Sequence, residues 1–164
     1  MKRLMPAAFA ALVMATAAPA LADTKSALTP DEVMSVLDAA GLKPRLSQDL
    51  ATGAPVFLGS AGNINFVVRA LNCSGSPAAC ENLLFIANFD LERPVAPEDY
   101  VAINRFNDSQ LFGRAYVLAG SNQVGVEYVL EMGGGVSTDH IAQNVARWAS
   151  IIGAFISNFS RGQS

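Results

Sequence analysis

The chain has 164 residues, with 11 Lys and Arg against 14 Asp and Glu, for a formal charge of −3. This mildly acidic balance, with no block of Lys or Arg, argues against a nucleic-acid or anionic-membrane role. Past the first 22 residues no apolar run approaches transmembrane length, so membrane insertion of the mature chain is not expected.

Lys2 and Arg3 precede an Ala-rich apolar run from Leu4 to Ala18, then Pro19 and the small-residue site Ala20-Leu21-Ala22. This order predicts an export signal cleaved after Ala22 and a periplasmic or secreted protein. Losing Lys2 and Arg3 with no acid takes the charge from −3 to −5. The expected organisation is a signal over 1–22, a short leader over 23–29, one domain over 30–160 and a tail over 161–164.

Cys73 and Cys80 are the only cysteines. In an exported chain an even pair this close reads as a disulfide, contributing roughly 2–3 kcal/mol by loop closure. Their spacing is not the Cys-x-x-Cys of redox enzymes, and with one distant His they do not complete a metal site. No metal or cofactor is expected.

In chain order, Thr29-Pro30-Asp31-Glu32 carries an N-cap, a Pro at the first helical position and a Thr-x-x-Glu box, which predicts a helix from Pro30 to Gly41. Val33, Val36, Leu37 and Ala40 form its apolar stripe. Strands are predicted over Arg45–Leu50, Pro55–Leu58, Ile64–Leu71 and Leu83–Phe89. In the third, Phe66, Val68 and Ala70 face opposite to Val67 and Arg69. The fourth is too apolar to alternate cleanly, so it reads as a central strand covered on most of both faces. The Cys pair closes an antiparallel hairpin between these two strands.

Pro97-Glu98-Asp99 starts a second helix with Tyr100, Ile103 and Phe106 as its buried stripe, ended by Asn107-Asp108-Ser109. Phe112–Leu118 and Val124–Met132 form a second hairpin, with Val124, Val126, Tyr128 and Leu130 on one face. Gly133-Gly134-Gly135 lacks the Gly-Lys-Ser/Thr of a phosphate loop and reads as a strand-to-helix turn. Ser137 caps a last helix whose Ile141, Val145, Trp148, Ile152, Phe155, Ile156 and Phe159 recur at helical spacing. The sum is an α+β domain of order α-β4-α-β2-α, with about six antiparallel strands.

Ile103-Asn104-x-Phe106-Asn107, Phe112-x-Arg114-Ala115-Tyr116, Glu127-Tyr128-x-Leu130, Gly134-Gly135-Val136 and Trp148, in that order, resemble the bacterial YbjN domain family over roughly Leu28 to Phe159. The resemblance implies a fold similar to type III secretion chaperones and a role in sensory transduction regulation that names no reaction. The export signal and the Cys73/Cys80 pair set this chain apart from cytosolic members.

Enzyme chemistry has little support: His140 is the only histidine and opens the last helix, where an exposed polar residue is the ordinary case. No catalytic residue is assigned. Asn104, Asn107 and Arg114 form the polar set of greatest interest. They either bond the helix end and its turn, with Arg114 paired to Asp108 or Glu127, or make a recognition patch for a carboxylate or peptide group. Two functions stay open: a non-catalytic, chaperone-like binding module for a protein partner or a second copy, and a small-molecule sensor with an enclosed pocket.

Overall fold

A computed structural model describes residues 23–161. The expected export signal lies outside the described residues, as does the tail beyond Arg161. In chain order the elements are β1 (Thr24–Lys25), α1 (Pro30–Ala39), β2 (Arg45–Gln48), β3 (Pro55–Ala61), β4 (Ile64–Ser74) and β5 (Ala79–Asp90). There follow α2 (Pro97–Ser109), β6 (Arg114–Leu118), β7 (Gln123–Glu131), β8 (Val136–Ser137) and α3 (Thr138–Arg161).

Six strands form one antiparallel sheet in the order β2-β3-β4-β5-β7-β6. Consecutive strands pair from β2 through β5 and again at β6 and β7, and α2 carries the chain from β5 past the place of β7 to the sheet's edge. Cys73 and Cys80 are register partners at the closed end of the β4–β5 hairpin and are joined by a disulfide across a Cα–Cα distance of 3.9 Å. Register partners on adjacent antiparallel strands face each other, which is what lets the two thiols meet.

Helix α1 begins as its sequence dictates. The Thr29 N–H donates to Glu32 Oε2 at 2.8 Å, and the Glu32 N–H returns to Thr29 Oγ1 at 3.4 Å. Helix α3 is the longest, and Ser137 Oγ accepts from the His140 N–H at 3.1 Å in its first turn. Its buried face is Ile141, Val145, Trp148, Ile151, Ile152 and Phe155. Trp148 meets Phe66 of β4 edge-on at 5.8 Å and Phe85 of β5 at 5.6 Å, while Phe155 meets Phe89 of β5 and Phe106 of α2. Each such side chain contributes about 1.5–3 kcal/mol when fully buried.

Three expectations need correction. The leader is part of the domain: Thr24 and Lys25 pair with Ser137 and Val136, and Leu28 exchanges backbone hydrogen bonds with Cys80 at 3.0 and 2.8 Å. Two-residue strands carry no periodicity to read. Tyr100 is 48 % exposed: Ile103 and Phe106 are buried as expected, but the first buried place of α2 belongs to Asp99 and not to Tyr100. The β5 strand is central but covered on one face alone: Leu83, Phe85 and Ala87 face the helices, while Leu84 and Ile86 stay half-exposed on the other side.

The burial of Asp99 in place of Tyr100 has a specific cause. Asp99 is 0 % exposed and takes both Arg93 guanidinium nitrogens at 2.7 and 2.8 Å, plus the Ala96 N–H at 2.8 Å. Ala96 has no side chain able to cap α2, so Asp99 supplies the reverse half of the box. The hydrogen bonds from Arg93 hold the Asp99 carboxyl below its ordinary range, assisted by the Ala96 N–H.

A depressed folded-state pKa stabilises fully above the unfolded value of about 3.9, and the contribution is lost as pH falls through the folded pKa. Urea midpoints of the native chain should therefore drop on acidification from about pH 5 to about pH 2, and Asp99→Asn should flatten that dependence while lowering stability at neutral pH. Parallel pH curves for the two chains would show that Asp99 does not carry it.

Candidate functional site

The joint between α2 and β6 holds the three polar residues singled out by sequence, and it spreads them apart. Asn107 lies in the last turn of α2, which ends at Ser109 within the expected Asn107-Asp108-Ser109. Its side chain ties that end to the next strand. Asn107 Nδ2 donates to the Ala115 carbonyl at 3.1 Å, and the Ala115 N–H donates to Asn107 Oδ1 at 2.7 Å. One amide thus makes both bonds that a neighbouring strand would make with Ala115, on the edge of β6 away from β7.

Gly113 completes the joint. It has φ +81°, and a Cβ there would stand 2.7 Å from Ile151 Cγ2 of α3, so only glycine allows β6 to start so close to that helix. Arg114 points to the opposite side of the sheet and pairs with Glu127, its register partner on β7. Asn104, one turn before Asn107, is exposed, and its side chain makes no hydrogen bond among the described residues. The set does not converge on one point.

A second polar cluster lies between β7 and α3. Asn144, 5 % exposed, accepts from the Tyr128 hydroxyl and from Arg147 Nη1, and its own amide donates to the His140 carbonyl at 2.7 Å. The Arg147 guanidinium lies over the Phe112 ring, 4.1 Å from its centroid. Sequence held a usable signal here: Asn144 occupies the apolar stripe of α3 between Ile141 and Trp148, and a buried Asn must find partners. His140 lends this cluster its backbone carbonyl, and its side chain is exposed. Among the described residues no group of three or more His, Cys, Asp or Glu could hold a metal ion.

The largest feature is the sheet face opposite the helices. Leu58, Val67 and Ile86 are successive register partners across β3, β4 and β5, and Leu84 faces Val129, which is 51 % exposed. Arg69 and Arg114 flank these rows, each tied to an acid: Arg69 to Asp49 at 3.1 Å and Arg114 to Glu127. On the same face Tyr116 lies across Gly125, where a Cβ would stand 2.5 Å from its ring, and its hydroxyl donates to Asn88 Oδ1 at 2.6 Å. Burial, with the Glu127 carboxylate, pushes the Tyr116 hydroxyl above its ordinary value, which keeps it a donor at neutral pH.

At one end of this face the sheet opens. The β4–β5 ladder stops at Val67 and Ile86, although β4 begins at Ile64 and β5 continues to Asp90. A cleft of about 400 Å³ occupies the gap, lined by Arg45, Leu58, Asn65, Val67, Ile86 and Asn88.

An antiparallel sheet with three helices on one face and an apolar, charge-flanked surface on the other makes this an α+β domain. The chain belongs to the YbjN family, whose profile, described as "putative bacterial sensory transduction regulator", matches residues 29–161. Among solved structures it is similar to YbjN, a putative transcription regulator from E. coli, with a TM-score of 0.50 and 16% identity, covering 80% of this chain and 92% of that one. At that identity the likeness concerns the fold. No curated protein sequence matches the chain significantly.

Replacing Asn107 with Ala removes both bonds to Ala115 and leaves the strand edge open. The Asn107→Ala chain should lose about 1–3 kcal/mol in urea unfolding, with Asn104→Ala within about 0.5 kcal/mol of native. Equal small losses at the two positions would remove the structural role given to Asn107.

Proposed function

We propose that this protein is an exported, non-catalytic binding module that works through protein–protein contacts, docking a partner chain or a second copy on the helix-free face of its sheet. The carrying observation is the row of cross-strand apolar neighbours on that face, Leu58, Val67 and Ile86 beside Leu84 and Val129. A strand buried on both faces would account for so apolar a β5; here the second face lies open, and burial on association is the remaining use for those side chains.

Three further features support this reading. The family description is regulatory and names no reaction. Charged residues ring the apolar rows as they do at the rim of an interface. The disulfide suits an oxidising compartment, in keeping with the N-terminal segment. A sensor with an enclosed pocket has less behind it, since the clefts on the surface are open ones. No helix among the described residues is long and apolar enough to cross a membrane.

Photo-crosslinking in the producing cell tests the docking face. A photoreactive side chain at Val129 should yield a discrete adduct, either of twice the chain's mass or with another protein, and Leu84→Asp should abolish it. The same group at Ala142, on the exposed side of α3, should yield none. Adducts from Ala142 alone, or Val129 adducts indifferent to Leu84→Asp, would contradict the proposal.

A further inference from the structure

The cleft where β4 and β5 part adds polar chemistry to the end of the row Leu58, Val67 and Ile86. The side chain of Arg45, on the short edge strand β2, makes no hydrogen bond or ion pair among the described residues, unlike those of Arg69, Arg93 and Arg114. No acid lines the cleft, although the chain as a whole is acidic. Asn88 is fixed in one sense: its Oδ1 takes the Tyr116 hydroxyl, so the Nδ2 group is left to donate. Asn65 adds a second amide without a partner among the described residues. Leu58, Val67 and Ile86 form the apolar wall beneath these donors.

A guanidinium, an oriented amide and a second amide above an aliphatic floor match one kind of ligand. The donors would meet the two oxygens of a carboxylate, for which the guanidinium fork is well shaped, and the wall would cover the apolar body that bears it. A phosphate suits the site less, having three oxygens, a higher charge and no apolar part. Gly125 has a purpose in this arrangement: by letting Tyr116 lie flat on β7, it brings the hydroxyl to Asn88 and so sets the direction of the amide.

We infer that this cleft is a binding site for a carboxylate carried on an apolar body, held by Arg45 and Asn88 over Leu58, Val67 and Ile86. Two sources share that chemistry: a free aliphatic acid and the C-terminus of a polypeptide ending in an aliphatic residue. The inference goes beyond the proposed docking face, with which the cleft shares Leu58, Val67 and Ile86, and a failure to bind carboxylates would leave the contacts centred on Leu84 and Val129 untouched.

Titration of the folded chain with octanoate, 1-octanol, and acetyl-Ala-Val-Leu as its free acid and as its amide, followed by calorimetry and by the side-chain amide signals of Asn65 and Asn88, tests this. At least one carboxylate should bind saturably at about 1 mM or below and shift the Asn88 amide, with its neutral counterpart about tenfold weaker. Arg45→Gln should weaken the carboxylate about tenfold, whereas Arg105→Gln, a change at another exposed arginine, should not. Tighter binding of the peptide acid assigns the site to a protein C-terminus, and tighter binding of octanoate to a free acid. Equal affinity for acid and neutral probes, indifference to Arg45→Gln in a chain with native circular dichroism, or no saturable binding of either carboxylate overturns the inference.

Discussion

Trp148 seats α3 on the sheet, and much of the rest of the structure depends on that contact. Fully buried, it packs against Phe66 and Phe85 from adjacent strands, so one side chain ties the last helix to the centre of the sheet. Its indole Nε1 has no hydrogen-bond partner among the described residues, a cost of about 1–3 kcal/mol that the surrounding apolar contacts must offset. Phe155, two turns on, does the same for α2 by meeting Phe106 and for β5 by meeting Phe89. With three helices gathered on one side, the opposite face of a six-stranded sheet is left to solvent.

That asymmetry gives the exposed face and the edges different treatments. At β6 the edge is guarded, because Asn107 occupies the backbone groups of Ala115 that another strand would seek. At the other edge, β2 has four residues, all exposed, and offers little length for pairing. The broad face has no such guard beyond its ringing charges. Strand addition is hindered at both edges while the aliphatic rows stay open, which is the arrangement that the proposed docking through side chains requires.

Much of this was legible in the residues. The Thr29–Glu32 box, the alternation of Phe66, Val68 and Ala70, the hairpin closed by Cys73 and Cys80, the glycine turn and the spacing of Ile141, Val145 and Trp148 each reflect a local rule that the packed structure keeps. What stayed hidden depended on distant residues. Tyr100 and Asp99 exchanged places because Arg93 makes a buried carboxylate tolerable. The part played by Asn107 depends on β6 passing beside it, and the open side of β5 depends on which face the helices take. The Asn88 and Tyr116 bond needed β7 between them to carry a glycine. Asn104, Asn107 and Arg114, grouped by sequence proximity, lie on a helix surface, at a strand edge and on the far face of the sheet.

Membership of the YbjN family sets the frame, a regulatory domain with no stated reaction, and the geometry directs attention within it to the helix-free face. The account stands or falls on that face being free in the unbound chain while its neighbour positions are not. Because both native cysteines are joined in the disulfide, a cysteine added at Val129 or at Val126 would be the single thiol, and the two differ only in the side of β7 they face. In the folded chain the Val129→Cys thiol should react with a maleimide nearly as fast as in urea, and the Val126→Cys thiol only on unfolding. Comparable protection at both positions would mean that the face is covered within the domain, and would contradict the account.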